Sequence, residues 1–279
     1  MATAAVLTPG DVQTTLNYST TDPSGEAPYF YVVPPPPGQP RSNLHEDAHD
    51  VVIHNARGLE DQFSIDTSGF EFLKHTSAET EFRDEEAIKT RYYAETEELL
   101  KKHTGAKRVL IFDHTIRRDY DGKTGSEVRG PATRVHVDQT FDAGFARVRH
   151  HLGDEAERLL KGRVRIVNVW RPIGAPVHHD PLAVADWRSL SVDQDLISVR
   201  FIYPHREGGI FHVRHSENLK WYYLKEQTPS EVTLIKCFDS ATDGRARLTP
   251  HSAFHDAGSP PEAPKRQSIE VRALLFDIE

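Results

Sequence analysis

The sequence predicts an α+β fold in which two mainly antiparallel sheets form a flattened, jelly-roll-like barrel. Helical patterns occur only before residue 162, whereas strand-like runs continue to the end of the 279-residue chain. A parallel sheet would need helices between its strands throughout the second half, and no helical pattern occurs there. The length suits a single domain, residues 1–279, since β-barrels of about 200–250 residues commonly form one unit.

The N-terminal part, residues 1–77, is expected to be an arm followed by segments that cover the core. A short strand is predicted over 29–33, and the four prolines at 34–37 favour a stiff, extended connector. Alternatively, the arm packs over the entrance of a site or against a partner subunit, so a homodimer is one expectation. Four apolar side chains are expected to cover one side of the core: Phe63, Phe70, Phe72 and Leu73.

Two helices are predicted from their charge and apolar patterns. The first covers 78–103, with acidic residues in its first turn, basic residues in its last turn and Gly105 as its stop. The second covers 142–161 and carries Arg, His and Glu side chains on its exposed face. The barrel core, 105–279, is expected to contain the strands 107–114, 133–138, 164–170, 196–203, 221–224, 232–238, 249–255 and 268–278.

The composition argues against several classes of function. The formal net charge of -8 and the scattered basic residues do not suit a nucleic-acid partner. No apolar run approaches the roughly 20 residues that a membrane span needs, and residues 1–17 lack the pattern of a signal peptide. Cys237, the single cysteine, rules out an internal disulfide and is expected to be a small buried hydrophobic residue. These features predict a cytoplasmic protein.

Three residues carry the strongest chemical signal, namely His136, Asp138 and His251. Within the alternating run 133–138, His136 and Asp138 point to the same face because strand side chains alternate with a period of two. His251 lies on a later predicted strand that folding could bring close. Two imidazoles and one carboxylate can occupy one face of an octahedral Fe(II) ion and leave three positions for a co-substrate and dioxygen. The spacing therefore indicates a 2-oxoglutarate-dependent oxygenase.

The same His-x-Asp spacing recurs at His178 and Asp180, with His179 between them. Prolines at positions 176 and 181 indicate a loop rather than a barrel strand, so the first copy is preferred as the iron pair. The chain contains 16 histidines. The alternative is therefore that all of these residues are surface groups or hydrogen-bonded core groups.

The last predicted strand offers an anchor for the co-substrate. Arg266, Ser268 and Arg272 share one face, and a hairpin would bring this strand beside His251. The planar guanidinium of Arg266 could pair with the distal carboxylate of 2-oxoglutarate, with the Ser268 hydroxyl as a second donor. Arg272 is the rival anchor, and a surface salt bridge is the alternative role for Arg266.

Other polar or aromatic residues are also candidates for the site. They are Asp113, His114, Arg117, Asn168, Trp170, Arg171, Asp239 and Ser240. For several of them a structural role is the alternative: core packing for Trp170, an ion-pair strut for Arg171 and a strand-end turn for Asp239 and Ser240.

Several segments, taken as a set, resemble the AsaB-like hydroxylase/desaturase family of fungal and bacterial Fe(II)/2-oxoglutarate-dependent oxygenases. The matching segments are 112–118, 135–140, 168–173, 221–223, 228–232, 236–240, 250–254 and 268–272. They span roughly residues 105–276, and Arg266-Gln267-Ser268 resembles the Arg-x-Ser signature of related oxygenases. The segment 176–181 departs from the family pattern. The loops 117–130 and 177–191 are therefore expected to shape the substrate pocket.

The resemblance implies a double-stranded β-helix core with flanking helices, Fe(II), 2-oxoglutarate as co-substrate, and dioxygen. It implies that His136, Asp138 and His251 bind the metal and that Arg266 with Ser268 anchors the co-substrate. The substrate is expected to be a small apolar secondary metabolite, with terpenoids and meroterpenoids as candidates. Hydroxylation, desaturation and endoperoxide formation all stay open.

Two other classes of function stay open at this point. A cupin-like metal protein could isomerise or bind a ligand without dioxygen, and a non-catalytic subunit could support an oxygenase partner. The complete set of three ligands argues against the second class. Succinate formation coupled to 2-oxoglutarate consumption would distinguish an oxygenase from both.

Overall fold

Two β-sheets form the framework of the protein, which a computed structural model describes over residues 7–118 and 130–279. Most of the predicted loop 117–130 therefore lies outside the described residues. The strands are β1 (Val12–Thr21), β2 (Tyr29–Tyr31), β3 (Leu44–Asn55), β4 (Phe70–Lys74), β5 (Arg108–Arg117), β6 (His136–Val137), β7 (Val164–Pro172), β8 (Leu182–Ala185), β9 (Leu196–Ile202), β10 (Glu207–Val213), β11 (Trp221–Tyr223), β12 (Glu231–Asp239), β13 (His251–Ala253) and β14 (Ser268–Phe276).

The larger sheet has nine strands in the order β1-β3-β11-β8-β13-β6-β10-β9-β2. The smaller sheet has five strands in the order β4-β12-β7-β14-β5. Pairing is antiparallel except between β3 and β11 and between β2 and β9. The strand order interleaves early and late parts of the chain in both sheets, as in a jelly roll. This confirms the predicted α+β class with a jelly-roll core.

Apolar side chains from both sheets meet in one buried cluster, which explains why the sheets pack together. Phe70 and Ile235 come from the five-stranded sheet and Val184 from the nine-stranded sheet, and all three are fully buried. Burying a side chain of this size contributes about 1.5–3 kcal/mol. Phe63 and Phe72 lie in the same cluster, as predicted for the segments before the barrel core.

The helices lie outside the sheets, and their bounds differ from the predicted ones. They are α1 (Glu85–Ala87), which continues through a π-helical turn (Ile88–Tyr92) into α2 (Tyr93–Thr104), then α3 (Phe141–Leu152), α4 (Ala156–Leu159) and α5 (Val192–Asp195). No helix in the described ranges has the length and apolarity needed to cross a membrane.

The first predicted helix was wrong at its start, because the helical backbone begins at residue 85 rather than 78. The Asp84 carboxylate accepts hydrogen bonds from the backbone N–H groups of Glu86 and Ala87, which makes it the N-cap. Before it, Phe82 has a φ of 48°, which interrupts any helix from residue 78. The predicted stop is confirmed, since Gly105 has a φ of 70° and caps α2.

The second predicted helix, 142–161, is interrupted after Leu152. Gly153 has φ 48° and ψ -120°, a conformation that ends α3, and a short 3-10 turn separates it from α4. The predicted strand 133–138 was also too long, because only His136–Val137 forms a ladder. Strands β1, β3, β4, β8 and β10 were not predicted. Acidic and histidine residues in β3 and glycines in β10 hide their strand pattern.

Candidate metal centre

The site begins with two neighbouring strands of the nine-stranded sheet, β6 and β13. His251 pairs directly with His136 in the antiparallel register, so the two imidazoles stand side by side with ring centroids 4.4 Å apart. Val135 and Val137 are fully buried in an apolar cluster with Trp221. Since side chains alternate along a strand, His136 and Asp138 face the other way, towards the interior between the sheets.

The three predicted side chains come together, with candidate ligand atoms all within 4.8 Å of one another. The Nε2 atoms of His136 and His251 lie 3.5 Å and 3.9 Å from Asp138 Oδ1. Ligands on adjacent corners of an octahedron with bonds of about 2.1 Å are about 3 Å apart, so small side-chain movements would close the gap. In the described ranges, no other three His, Cys, Asp or Glu side chains form such a group.

Backbone carbonyls orient both imidazoles. The Nδ1–H of His136 donates to the carbonyl of Arg134 at 2.7 Å, and the Nδ1–H of His251 donates to that of Thr249 at 3.0 Å. Each ring therefore presents its Nε2 lone pair to the shared space. Hydrogen bonds of this kind fix the tautomer and orientation of metal-binding histidines.

The opposite sheet orients the carboxylate. Asn168 on β7 donates from Nδ2 to Asp138 Oδ2 at 2.7 Å, and the Cys237 Sγ lies 3.9 Å from the same oxygen. Asp138 Oδ1 then faces the two imidazoles. Asn168, a candidate from the sequence, thus touches the site through Asp138, and Cys237 is buried as expected.

The protonation states suit a divalent cation. Burial and the charge of His136 lower the pKa of His251 to about 4, so its imidazole is neutral at pH 7. Burial would raise the pKa of Asp138, but the hydrogen bond from His136 and the charges of His136 and Arg272 hold it well below its usual range. Burial also opposes protonation of His136, but Asp138 outweighs it and raises the pKa of that imidazole. A bound metal ion would take the place of this proton.

The predicted hairpin between the His251 strand and the Arg266 strand is wrong. β14 lies in the five-stranded sheet between β7 and β5, opposite rather than beside β13. Ile269 and Val271 pack into a separate apolar cluster with residues of the first helix. Ser268, Glu270 and Arg272 therefore face the interior, across from the two histidines.

Arg272 is close to the metal centre but its donors are engaged. Its Nε donates to Asp113 Oδ1 at 2.6 Å, its Nη2 to Thr115 Oγ1 at 2.7 Å and its Nη1 to Glu270 Oε1 at 3.3 Å. The Nη1 atom is also 4.0 Å from Asp138 Oδ2. Arg272 thus holds together a polar group that includes the candidate Asp113.

Arg266 is buried, at 8% exposure, and has a spare donor. One Nη atom donates to the carbonyl of Asp180, the guanidinium lies 5.6 Å from the centre of the Trp170 ring, and Nε has no hydrogen-bond partner among the described residues. Ser268, two positions later, is also buried. Burial, reinforced by Arg117, lowers the pKa of Arg266 to about 10, as expected for a cation without a full counter-charge.

Several other candidates from the sequence form hydrogen bonds with other parts of the protein. Arg171 donates to Tyr92 Oη at 3.0 Å and to two backbone carbonyls, so these hydrogen bonds to neutral groups make it a strut of a different kind from the predicted ion pair. His114 contacts the Tyr93 hydroxyl at 2.8 Å. Asp239 is fully buried and accepts from Lys236 Nζ at 2.7 Å. His179, in the second His-x-Asp copy, contacts the carbonyl of Ala263 at 3.1 Å, away from any metal-type cluster in the described chain.

A cavity of about 710 Å³ opens beside the metal centre and is lined by His136, Asp138 and Arg272. Its size falls in the range of small-molecule sites. The N-terminal arm contributes Phe30 and Leu44 to its wall, in line with the alternative that this arm covers a site entrance. Four further lining residues were missed by sequence reasoning: Gln139, Arg147, Arg206 and His212. Gln139 follows a ligand, Arg147 lies on a helix face, Arg206 lies in a turn and His212 lies on an unpredicted strand. None of these positions carries a distinctive pattern in the sequence.

Comparisons with known proteins agree with this geometry. The family described as "Oxidoreductase/YMDC permease-like domain" matches residues 16–276. The hydroxylase/desaturase efuI of Hormonema carpetanum is 35% identical, over 98% of this chain and 97% of the relative. The Fe(II)/2-oxoglutarate-dependent dioxygenase nvfI of Aspergillus novofumigatus is also 35% identical, over 88% of this chain and 90% of the relative.

Solved structures of the iron and alpha-ketoglutarate-dependent endoperoxidase NvfI have the same fold; alpha-ketoglutarate is another name for 2-oxoglutarate. One superposes with a TM-score of 0.83 at 32% identity, over 95% of this chain and 98% of that chain. The structure of an NvfI variant superposes with a TM-score of 0.87 at 33% identity, over 98% of this chain and 99% of that chain. The chain therefore belongs to the hydroxylase/desaturase family of Fe(II)/2-oxoglutarate-dependent oxygenases.

Proposed function

We propose that this protein binds Fe(II) through His136 Nε2, Asp138 Oδ1 and His251 Nε2 and oxidises a small secondary metabolite with 2-oxoglutarate and dioxygen. The observation that carries the proposal is the orientation of these donor atoms. Both Nδ1 atoms and Asp138 Oδ2 are occupied by protein hydrogen bonds. The remaining atom of each side chain faces one shared space, and this donor set suits Fe(II).

When bound, Fe(II) and 2-oxoglutarate supply the activation of dioxygen and the oxidation of an unactivated carbon. The protein contributes position, charge and a partly apolar cavity. Asn168 holds Asp138, and the two carbonyl acceptors hold the imidazoles. The substrate reaction is hydroxylation, desaturation or endoperoxide formation, the activities that the names of the relatives state.

We assign the distal carboxylate of 2-oxoglutarate to Arg266 and Ser268 rather than to Arg272. Arg266 is buried and its Nε has no partner in the part of the chain that the structure describes, and an incompletely paired buried cation is costly. Arg272 already donates to Asp113, Thr115 and Glu270. A planar guanidinium with a free donor is the better partner for a carboxylate. In this assignment Arg272 is a positioning residue for the groups around Asp138.

We also propose that residues 1–279 act as one oxygenase domain and that the enzyme works in the cytoplasm. The first part of the proposal is supported by β1, β3 and β4, since strands from the N-terminal 77 residues lie in both sheets. The single, buried cysteine is compatible with a reducing compartment.

The proposal is tested by measuring Fe(II) affinity and the conversion of 2-oxoglutarate to succinate. The wild-type protein should bind Fe(II) and form succinate slowly even without its substrate. Asp138→Ala should weaken Fe(II) binding at least about 100-fold and abolish succinate formation, because a charged ligand is lost. Asp154→Ala, which removes an exposed carboxylate far from the site, is the control and should match the wild type.

Succinate formation by Asp138→Ala at the wild-type rate would rule out the assigned ligand set. A wild-type protein that binds the metal but never consumes 2-oxoglutarate would instead favour the cupin-like or non-catalytic alternatives.

A further inference from the structure

Two arginines lie at the junction of the main cavity and a neighbouring one. Arg147 projects from α3, and Arg206 lies in the turn between β9 and β10. Both line the cavity of about 710 Å³ that reaches the metal centre, and both line an adjoining cavity of about 460 Å³. Neither residue belongs to the metal centre or to the proposed 2-oxoglutarate anchor.

Among the described residues, neither arginine has a carboxylate partner within 4.0 Å. The Arg147 guanidinium lies 5.3 Å from the centre of the Phe112 ring, and that of Arg206 lies 3.8 Å from the centre of the Tyr203 ring. Asp113, the carboxylate whose charge acts most strongly on Arg147, accepts a hydrogen bond from Arg272 instead.

Other arginines at the edges of the same cavities are paired. Arg134 contacts Glu46, and Arg200 donates to Glu207 at 2.7 Å. Within the described ranges, the lack of a carboxylate partner is therefore particular to Arg147 and Arg206 and is not shared by every cation around the junction.

The two charges also oppose each other. Burial and then the charge of Arg206 lower the pKa of Arg147. Two cations that face one partly apolar space raise the free energy of the empty protein, and an anion between them would relieve that repulsion. Arginine pairs of this kind suit carboxylates, since each guanidinium offers a planar set of donors.

Part of the cavity wall is apolar, and polar side chains such as Gln139 and His212 line the remainder. The apolar side chains that share this cavity with the arginine pair, His136 and Asp138 are Phe30, Phe112, Phe201, Leu44 and Ile210. Phe30 and Phe201 stack on each other with ring centroids 5.0 Å apart. This wall can take the apolar body of a ligand whose charged end lies at the junction.

We propose that Arg147 and Arg206 bind an anionic group of the substrate, of the carboxylate class, while its apolar body lies along the aromatic wall beside the metal centre. The proposal rests on the proposed oxygenase function and refines the expected apolar substrate to an amphipathic acid. The distal carboxylate of 2-oxoglutarate is the rival anion for these arginines. Arg266 is the better partner for that carboxylate because it is more deeply buried and has a free Nε.

The test uses two fluorescent probes that share one ring system. 8-Anilinonaphthalene-1-sulfonate carries an anionic group, and N-phenyl-1-naphthylamine lacks it. Both are titrated into full-length protein under anaerobic conditions, with and without Fe(II) and 2-oxoglutarate. The variants are Arg147→Met, Arg206→Met and the double substitution, which remove the charges but keep apolar bulk. Arg149→Met, an exposed position on the same helix, is the matched control.

The sulfonate probe should bind the wild type and the control equally and the double variant about tenfold or more weakly. The neutral probe should bind all proteins within about twofold. The affinity for 2-oxoglutarate should stay unchanged, and the melting temperature of the double variant should be equal or higher because the repulsion is gone.

Three results would overturn the proposal. The first is unchanged sulfonate binding in the double variant, or none in the wild type. The second is an equal loss of affinity for both probes in the double variant, which indicates a damaged cavity. The third is a selective loss of 2-oxoglutarate affinity, which would assign the pair to the co-substrate. Because the probes report without turnover, a failure of the oxygenase function would be seen separately as absent 2-oxoglutarate binding.

Discussion

At the scale of single residues, the metal centre depends on which atom of each side chain is already engaged. His136 and His251 each donate a hydrogen bond from Nδ1 to a backbone carbonyl, and Asp138 Oδ2 accepts a hydrogen bond from Asn168. One nitrogen or oxygen per residue is left for a metal ion. The same reasoning separates Arg266 from Arg272. Among residues 7–118 and 130–279, hydrogen bonds engage Arg272 and leave Arg266 with a buried free donor.

The assignment of the co-substrate anchor predicts different kinetic effects for the two arginines. Arg266→Met should raise the KM for 2-oxoglutarate about 10- to 100-fold and change kcat less, because a charged hydrogen-bond partner of the co-substrate is lost. Arg272→Met should mainly lower Fe(II) affinity and kcat, because the groups around Asp138 lose their support. Steady-state kinetics of succinate formation and Fe(II) titration of both variants provide the measurement.

The control for these two variants is Arg158→Met, which removes a guanidinium from an exposed helix position and should leave the KM and the Fe(II) affinity unchanged. A raised KM for Arg272→Met together with an unaffected Arg266→Met would reverse the assignment.

At the scale of elements, the site depends on strands from opposite sheets being held in place. Arg57 follows β3 of the nine-stranded sheet, and Glu231 begins β12 of the five-stranded sheet. Their side chains form a two-pronged ion pair, with Arg57 Nη2 2.9 Å from Glu231 Oε2. Glu231 also accepts from the backbone N–H of Thr228 at 2.8 Å. This pair fastens one sheet to the other.

The stability of the protein should depend on this pair in a defined pH range. Burial would raise the pKa of Glu231, but the hydrogen bonds from Arg57 and Thr228 lower it from 4.5 to about 2. The stabilisation is therefore fully present above pH 4.5 and is lost as the pH falls towards 2. Glu231→Gln should lower the free energy of unfolding by about 1–3 kcal/mol at pH 7, with a shrinking difference below about pH 4.5.

Denaturant unfolding of both proteins between about pH 7 and pH 2.5 measures this effect. Glu207→Gln is the control, because its ion pair with Arg200 is exposed and should contribute less than about 1 kcal/mol. A Glu231→Gln variant as stable as the wild type at pH 7 would contradict the role of the pair in joining the sheets.

The pairing of strands shows how far the fold could be predicted from the sequence. The alternation around His136 identified the ligand pair, although only two residues there form a ladder. The same local pattern could not say which sheet β14 would join, and the predicted hairpin with the His251 strand was wrong. Strand alternation fixes which side chains share a face, whereas sheet partners depend on contacts between distant parts of the chain.

At the scale of the whole molecule, two sheets bring early and late segments to one cavity. The fold class could be predicted because helical patterns end before residue 162 while strand-like runs continue to the end of the chain. The candidate ligand pair could be predicted because His136 and Asp138 alternate along a strand-like run and so share a face. The residues of the cavity wall could not be predicted. Arg147 lies in a segment with the pattern of an exposed helix face, and Arg206 lies in a segment with the pattern of a turn. Phe30 and Leu44 reach the cavity from the arm only after β2 and β3 join the large sheet.

The most direct test of the central claim is a crystal structure of the protein prepared without oxygen in the presence of Fe(II) and 2-oxoglutarate. We expect one iron ion bonded to His136 Nε2, Asp138 Oδ1 and His251 Nε2, with the distal carboxylate of 2-oxoglutarate on Arg266. Iron bound elsewhere, for example at His178 and Asp180, with these three side chains free, would contradict it.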